Sequence, residues 1–345
     1  MVRFDRYVAH FAGWLVLICA VVVAINVVVD PLWYFEGNRL GGRNFGFDER
    51  LAKTNRLRAQ EQVPGCLVFG SSRVTLLDEG AVGEPACFNY AFSNGTIEEF
   101  VEFAAYVRSL GGAPPELVVV GVDGFNFIDH DLVQTVPAFV REGGDPPSFM
   151  TKYLSLDALE FSLRVVTERT GYKRYYDDAF RARVMPTAGR FEPPAVFDPA
   201  DRFGGLSAGD TNRAGPFDVD RTREFVRLRE ETRAARYVGY VPPLSASFID
   251  HLDRSGRLEG YLERLHAAAR AFDVLLDFSV PSEMTTDPAN TYDGSHFREA
   301  SNALVAEGIS RGESVFALPV HAISLSAYRD AYRAALREYR AAREG

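Results

Sequence analysis

Three residues of this chain have the types and spacing that acyl transfer at a serine requires. Ser72 lies in the string LVFGSSR, which is typical of a buried strand that ends in a turn, and YDGSHF near the other end of the chain contains Asp293 and His296. A histidine oriented by a carboxylate can take the proton of a serine hydroxyl and so make it a nucleophile. Each string alone is typical of an ordinary turn or surface loop. Together they predict a triad.

Short apolar runs alternate with helical patterns in the part of the chain that contains both strings. The run ELVVVGV is almost wholly apolar, which is typical of a strand covered on both faces. The alternation predicts an α/β domain over residues 65–318 with a doubly wound parallel sheet. Its predicted strands are 66–70, 86–92, 116–122, 237–241 and 274–277, and its clearest helices are 96–110 and one within 258–271.

A long insertion, residues 124–236, separates the third and fourth predicted strands. It contains a helical pattern over 156–167, a stretch rich in proline and glycine over 186–216, and a charged helical pattern over 219–235. Loops of this length in a compact domain form lids, substrate walls or partner surfaces, or they are plain excursions. The sequence leaves these alternatives open.

The N-terminal region is the clearest indication of location. Phe11 to Val29 is apolar apart from Asn26, which is about the length that crosses a bilayer as a helix. No small-x-small cleavage site closes the run, so we predict an uncleaved transmembrane anchor over residues 11–29 rather than a signal peptide or a core helix.

Charges on either side of the apolar run predict its orientation. Arg3 and Arg6 precede it and Asp30 follows it, whereas Arg39 and Arg43 reduce the contrast. By the positive-inside rule, residues 1–10 are expected in the cytoplasm and the rest of the chain on the outer side of the membrane.

Two further segments flank the α/β domain. Residues 30–64 form a juxtamembrane segment in which 48–62 has the pattern of a polar helix. Residues 319–345 contain an amphipathic helical pattern, predicted to pack on the domain or, alternatively, to lie on a membrane or partner surface.

Composition restricts the classes of function. The 345 residues are 47% hydrophobic, enough for a full core, and a formal net charge of -9 without a basic stripe argues against a nucleic-acid binder. The cysteines Cys19, Cys66 and Cys87 lack metal-ligand spacing and are expected as buried thiols rather than a disulfide. His130 and His251 are expected to be solvated. We predict neither a metal site nor a cofactor.

Four strings, in order, resemble the sequence blocks of the SGNH/GDSL hydrolase superfamily. They are Gly70-Ser71-Ser72 after the first strand, Asn94-Gly95 after the second, Gly121-Val122-Asp123-Gly124 after the third, and Asp293-x-x-His296. The resemblance covers roughly residues 64–312 without the insertion. With the anchor and the stretch Asp30-Pro31-Leu32-Trp33, the chain is similar to membrane-anchored bacterial members, including those tied to O-acylation of cell-surface polymers such as alginate and teichoic acid.

The resemblance implies a flavodoxin-like SGNH hydrolase fold and a role for each matching residue. Ser72 matches the nucleophile of the Gly-Asp-Ser block, with Ser71 in the place of the aspartate. His296 is implied as the base and Asp293 as the carboxylate that orients it. The oxyanion hole is implied at the backbone N–H of Ser72 and at that of Asn94 or Gly95.

The third block departs from the family's pattern. Where the family has an asparagine side chain as an oxyanion donor, this chain has Asp123, whose carboxylate would repel an oxyanion. Asn126 could substitute for the missing donor, or Asp123 could be protonated, orient Arg73, or belong to a site that has changed role. Arg73 itself is expected either to pair with a carboxylate or to anchor substrate.

Two classes of function fit these observations. The first is a membrane-anchored serine esterase or O-acyltransferase, facing the periplasm from the bacterial inner membrane, that acts on a cell-envelope glycan or lipid through an acyl-Ser72 intermediate. The resemblance implies that a multi-spanning O-acyltransferase partner would deliver the acyl group. The alternative is an inactive SGNH-fold protein that binds or assembles components of an envelope polysaccharide system.

Overall fold

The computed structural model describes residues 2–45, 47–60, 62–83, 86–129, 136–168, 171–198 and 215–344. The chain divides into two compact units. One is formed by residues 1–61 with 144–187, and the other by residues 62–143 with 188–345. The long insertion therefore contributes to both units.

Within the described residues the helices and strands have the following bounds. The strands are β1 (Cys66–Phe69), β2 (Cys87–Asn89), β3 (Leu117–Gly121), β4 (Arg174–Tyr176), β5 (Ala182–Val184), β6 (Arg236–Val241), β7 (Val274–Asp277) and β8 (Leu318–Pro319). The helices are α1 (Val2–Val29), α2 (Glu49–Arg58), α3 (Ile97–Ser109), α4 (Ala138–Arg141), α5 (Phe149–Tyr153), α6 (Leu156–Thr167), α7 (Thr222–Thr232), α8 (Ala246–Arg254), α9 (Leu258–Ala268), α10 (Glu283–Thr286), α11 (Glu299–Arg311) and α12 (Leu325–Glu344).

The larger unit is built on a six-stranded, mostly parallel sheet, which confirms the predicted mixed α/β class. The strand order is β2-β1-β3-β6-β7-β8, with β8 alone antiparallel to its neighbour. Val68 and Val119 pack in a core with Val305 of α11, whereas Phe69 of β1 contacts Phe100 of α3. Helices thus cover both faces of the sheet, as the apolar strands require.

A disulfide joins the first two strands, so the expectation of buried thiols is wrong for Cys66 and Cys87. These cysteines are register partners at the starts of β1 and β2, with Cα atoms 4.2 Å apart. Their spacing of 21 residues carries no recognisable signal, and only the parallel pairing of the two strands brings the sulfurs together. Cys19 in α1 is a free cysteine.

We predict that the double substitution Cys66→Ala/Cys87→Ala lowers the free energy of unfolding by about 3 kcal/mol, because it releases a closed loop of this length in the unfolded chain. Denaturation of the variant and of the wild type would measure the difference, with Cys19→Ala as the matched control that leaves stability unchanged. A thiol count of the unreduced, denatured wild-type chain should give one thiol per chain. A count of three would contradict the disulfide.

The C-terminal helix α12 packs on the larger unit, in agreement with the first interpretation of its pattern. The hydroxyls of Tyr328 and Tyr332 both donate to Oδ2 of Asp277, at the end of β7. The Oδ1 atom of Asp277 accepts hydrogen bonds from the N–H and hydroxyl of Ser279. Burial raises the pKa of Asp277 above its usual value, and these hydrogen bonds offset only part of that rise. The network fixes the helix to the carboxyl end of the strand.

His251 is buried in α8, so the expectation that it is solvated is wrong. Its ring centroid lies 5.3 Å from that of Phe197, a residue of the insertion. The apolar contact could not be foreseen, because nothing in the sequence places these two rings together. His130 lies outside the described residues.

The smaller unit contains the N-terminal helix, α2, α5, α6 and the antiparallel hairpin of β4 and β5. Phe4 to Val29 is one helix long and apolar enough to cross a membrane. The helix ends at Val29, and the next residue, Asp30, adopts a left-handed conformation with φ of 45°. The carboxylate of Asp30 accepts backbone hydrogen bonds from Tyr34, Phe35 and Gly37, which tie the chain into a turn directly after the helix.

Candidate functional site

The turn after β1 presents Ser72 at the carboxyl end of the central strands. A Cβ atom built on Gly70 would lie 2.3 Å from Cγ2 of Val74, so the chain can double back here only with a glycine. The N–H of Val74 donates to the carbonyl of Ser71 at 3.0 Å. From the end of β2, Asn89 donates through Nδ2 to the carbonyl of Val74 at 3.0 Å. The neighbouring strand therefore holds the turn that carries Ser72.

The loop that carries Asp293 and His296 is fixed by its own hydrogen bonds. Oδ1 of Asp293 accepts the backbone N–H of His296 at 2.8 Å. Gly294 adopts φ of 85°, which favours glycine, and its carbonyl accepts the N–H of Ser245 at 2.8 Å. The hydroxyl of Thr291 donates to the carbonyl of His296 at 2.8 Å. These bonds set the direction of the imidazole before any substrate binds.

The structure brings the three residues of the predicted triad together. Nε2 of His296 lies 2.8 Å from Oγ of Ser72, and Nδ1 of His296 lies 2.8 Å from Oδ2 of Asp293. With the proton on Nδ1 donated to Asp293, Nε2 is left as the acceptor for the Ser72 hydroxyl. The ring of Tyr292 stacks on the imidazole, with centroids 5.5 Å apart and planes inclined by 5°. The arrangement can deprotonate Ser72 as it attacks a carbonyl carbon.

Asp293 is held in its charged form. Burial alone would raise the pKa of this carboxyl, but the adjacent His296 and the backbone N–H groups of Ser295 and His296 outweigh it and hold the pKa well below its usual range. The carboxylate can thus stabilise an imidazolium formed during the reaction.

Arg73 and Asp123 form a buried ion pair beside the nucleophile turn. Nη1 of Arg73 donates to Oδ1 of Asp123 at 2.8 Å, and the two side chains are 6% and 2% exposed. Of the alternatives for Asp123, the structure shows the one in which it orients Arg73. The guanidinium balances the charge of the buried carboxylate.

Asn126, the alternative donor, is engaged in structural hydrogen bonds. Its Oδ1 accepts the N–H of Ile97, the first residue of α3, at 3.1 Å, and its Nδ2 donates to the carbonyl of Asp123 at 3.1 Å. These two bonds connect the end of β3 to the start of α3. They favour a positioning role for Asn126 over a role as oxyanion donor.

The second block lies directly against the nucleophile turn. A Cβ atom on Gly95 would be 2.8 Å from the carbonyl oxygen of Gly70, which explains the glycine. The N–H of Gly95 donates to the carbonyl of Phe92 at 3.0 Å, and Asn94 adopts a left-handed conformation with φ of 54°. Both predicted backbone donors, Asn94 and Gly95, thus belong to the turn that contacts Gly70.

Sequence reasoning missed several residues that support the site. Tyr292, which stacks on the imidazole, and Ser295, whose hydroxyl lies 3.2 Å from Nδ1 of His296, are both inside the string YDGSHF. Their position next to the triad residues was the available signal. Thr291 precedes the string, and its role depends on the fold of the loop.

Among the residues that the structure describes, no group of three or more His, Cys, Asp or Glu side chains is placed to hold a metal ion. Comparison of the chain with protein-family models, with curated proteins and with solved structures gives no match. The resemblance to the SGNH hydrolases therefore rests on the four sequence blocks and stays a proposal.

Proposed function

We propose that this chain is a membrane-anchored, extracytoplasmic serine enzyme that transfers an acyl group through an acyl-Ser72 intermediate. The observation that carries the proposal is the pair of 2.8 Å contacts of the His296 ring, one from Nε2 to Oγ of Ser72 and the other from Nδ1 to Oδ2 of Asp293. Ser72 is at the carboxyl end of a parallel strand, where α/β proteins place their ligand sites.

In the first half of the reaction Oγ of Ser72 attacks the carbonyl carbon of an ester while Nε2 of His296 takes the hydroxyl proton. The tetrahedral intermediate then expels the alkoxide, which receives that proton from His296, and an acyl-serine remains. In the second half His296 takes a proton from water or from an acceptor hydroxyl, whose oxygen attacks the acyl-serine. Collapse of the second intermediate returns the proton to Ser72.

The tetrahedral intermediates carry an oxyanion that needs donors. We assign this role to the backbone N–H of Ser72 and to that of Asn94 or Gly95, which belong to the turns after β1 and β2. The ion pair of Arg73 with Asp123 supports the assignment, because it provides a charge balance beside Ser72 where a lone carboxylate would oppose the developing charge. Arg73 thus acts mainly as the partner of Asp123.

The strand order supports the fold implied by the resemblance. Without the hairpin of the smaller unit, the five parallel strands follow the order second, first, third, fourth, fifth, which is the flavodoxin-like order. The SGNH hydrolase fold is the member of this class that combines it with the four sequence blocks found here.

The disulfide supports an extracytoplasmic location. Disulfides form and persist in oxidising compartments and are rare in the cytoplasm. The Cys66–Cys87 bond lies in the same unit as Ser72, and α1 of the same chain is apolar enough to cross a membrane. The proposed position is therefore the periplasmic face of the bacterial inner membrane.

The proposed substrates are hydroxyl-bearing glycans or lipids of the cell envelope. Water as the acceptor gives an esterase, and a glycan or lipid hydroxyl gives an O-acyltransferase. In the second case the acyl donor crosses the membrane with a multi-spanning O-acyltransferase as partner. Both reactions use the same triad.

Reaction with a fluorophosphonate tests the serine chemistry. We expect the folded chain to form one covalent adduct, mapped by mass spectrometry to Ser72, because His296 activates that hydroxyl. The His296→Ala variant and the heat-denatured chain are the controls, and both should react far more slowly. A folded chain with no adduct on Ser72 would contradict the proposal and favour the inactive binding or assembly protein.

A further inference from the structure

One side of α6 is buried against the N-terminal helix. Ala158, Ser162 and Val165 lie on this side and are buried, and the small side chains allow a close approach. The amide of Asn26, the polar residue of the apolar run, is fully buried here. Its Nδ2 donates to the carbonyl of Tyr153 at 2.8 Å, and its Oδ1 accepts the hydroxyl of Ser162 at 2.7 Å.

A second side of α6 is apolar and exposed. Leu156, Leu163 and Val166 are 78%, 48% and 54% exposed, and their spacing of seven and three residues places them in one stripe along the helix. Met150 and Leu154, in and just after α5, are exposed large apolar residues as well. The segment thus exposes five large apolar side chains within 17 residues, which is unusual for a surface that faces only water.

The charged residues of α6 lie on a third side. Asp157, Glu160 and Arg164 share it, and Glu160 pairs with Arg164 one turn away. At about 100° per residue, the exposed apolar stripe therefore lies between the side buried against α1 and the charged side. The apolar stripe of α6 thus borders the side packed on α1, and the charged side lies farther from that contact.

The depth of α6 along α1 can be read from Asn26. Asn26 is three residues from Val29, the last residue of the helix, which is about 4.5 Å at 1.5 Å per residue. Amphipathic helices at a membrane surface bury their apolar side about 5–10 Å into the boundary between head groups and acyl chains. The contact of Ser162 with Asn26 thus holds α6 at a depth close to that of interfacial amphipathic helices, near the carboxyl end of α1.

We propose that Met150, Leu154, Leu156, Leu163 and Val166 insert into the lipid leaflet that surrounds the carboxyl end of α1. The stripe borders the side of α6 that packs on α1, and α1 is itself exposed and apolar enough to cross a membrane, which favours lipid over a second copy of the chain as the occupant. The spanning helix and this interfacial helix would then fix the tilt of the smaller unit on the bilayer. This inference rests on the membrane placement in the proposed function and is independent of the serine chemistry.

Spin labels on the full chain in liposomes of phosphatidylcholine and phosphatidylglycerol test the inference. In a Cys19→Ala background, labels at Leu163→Cys and Glu160→Cys compare the apolar stripe with the charged side of the same helix. We expect the ratio of oxygen to nickel-chelate accessibility to be several-fold higher at position 163 than at 160. A label at Leu17→Cys, on the exposed surface of α1, reports whether that helix is in hydrocarbon.

Each result leads to a different conclusion. Equal nickel accessibility at 163 and 160, with position 17 in hydrocarbon, overturns the inference and leaves the anchor in place. Spectral broadening at position 163 that disappears on dilution with unlabelled chain shows that a second copy covers the stripe, which also overturns it. Position 17 in water would refute the membrane placement itself. Fluorophosphonate labelling of Ser72 in the same samples reports the serine chemistry separately.

Discussion

The Ser72→Ala variant is expected to lose hydrolysis of an aryl acetate by about 10³-fold or more in kcat, with a fold that remains intact. The hydroxyl oxygen of Ser72 is the atom that Nε2 of His296 contacts at 2.8 Å in the wild type, and without it no acyl-enzyme can form. The hydroxyl is removed at the end of a turn held by other residues, so we expect the free energy of unfolding to change by less than about 1 kcal/mol.

Ser71→Ala is the matched control for Ser72→Ala. Ser71 precedes the nucleophile in the same turn, and its hydroxyl accepts the N–H of Arg73 at 3.3 Å, a long hydrogen bond. Most of the activity should remain in this variant. Initial rates and the burst of released phenol, measured for both variants, separate loss of the acylation step from general damage to the turn. Full activity in Ser72→Ala would refute the assignment of the nucleophile.

The second large effect is expected on stability, at the ion pair of Arg73 with Asp123. Asp123→Asn leaves the Arg73 guanidinium without the buried carboxylate, and the loss of one partner from such a pair costs about 3–5 kcal/mol. Arg73→Met should cost a similar amount. The double variant Arg73→Met/Asp123→Leu removes both charges together and should be much closer to the wild type than the sum of the single variants.

Thermal unfolding in detergent, followed by circular dichroism, measures these differences. A loss of 3–5 kcal/mol corresponds to a melting temperature lower by about 6–20 °C in a folded unit of about 150–250 residues, the size class of the larger unit that contains the pair. Glu160→Gln, which breaks the exposed pair with Arg164, is the control and should cost less than about 1 kcal/mol. Single variants that behave like this control would show that the pair is not buried as described.

Asp123→Asn also tests the departure from the family pattern, because it introduces the asparagine that the resemblance leads one to expect. If the ion pair has replaced an oxyanion donor, the variant should lose stability without a gain in kcat. A rise in kcat on an acetate ester would show instead that Asp123 limits an otherwise ordinary hydrolase site.

Local patterns in the sequence were enough to predict the five parallel strands, but not the antiparallel β8, and to single out the three residues of the proposed triad. Each strand of the parallel sheet is a short apolar run bounded by turn residues, and Thr96 with Glu99 forms the capping box that starts α3. Ser72, Asp293 and His296 are recognisable because their loops belong to strings with a fixed internal spacing. The carboxyl ends of parallel strands then bring such loops to one edge of the sheet.

Contacts between distant segments could not be predicted in the same way. The disulfide depends on the register of β1 with β2, and the burial of His251 depends on a residue of the insertion more than fifty positions away. Asp123 had several chemically reasonable roles, and only its distance from Arg73 distinguishes them. The division of the insertion between two units likewise has no signal in local composition.

In the proposed membrane placement of α1, the hydrogen bonds of Asn26 have a consequence for the biosynthesis of the protein. Ser162 follows Asn26 by 136 residues, so at typical rates of synthesis the anchor is made roughly 7–30 s before its partner leaves the ribosome. During this interval a nascent α1 in the membrane holds an amide that its own helix cannot satisfy, close to the boundary where water still reaches it. Because Asn26 lies near the end of the apolar run rather than at its centre, the free-energy cost of this unpaired amide is small. The helix α1 is thus synthesised well before the residues that complete its hydrogen bonds.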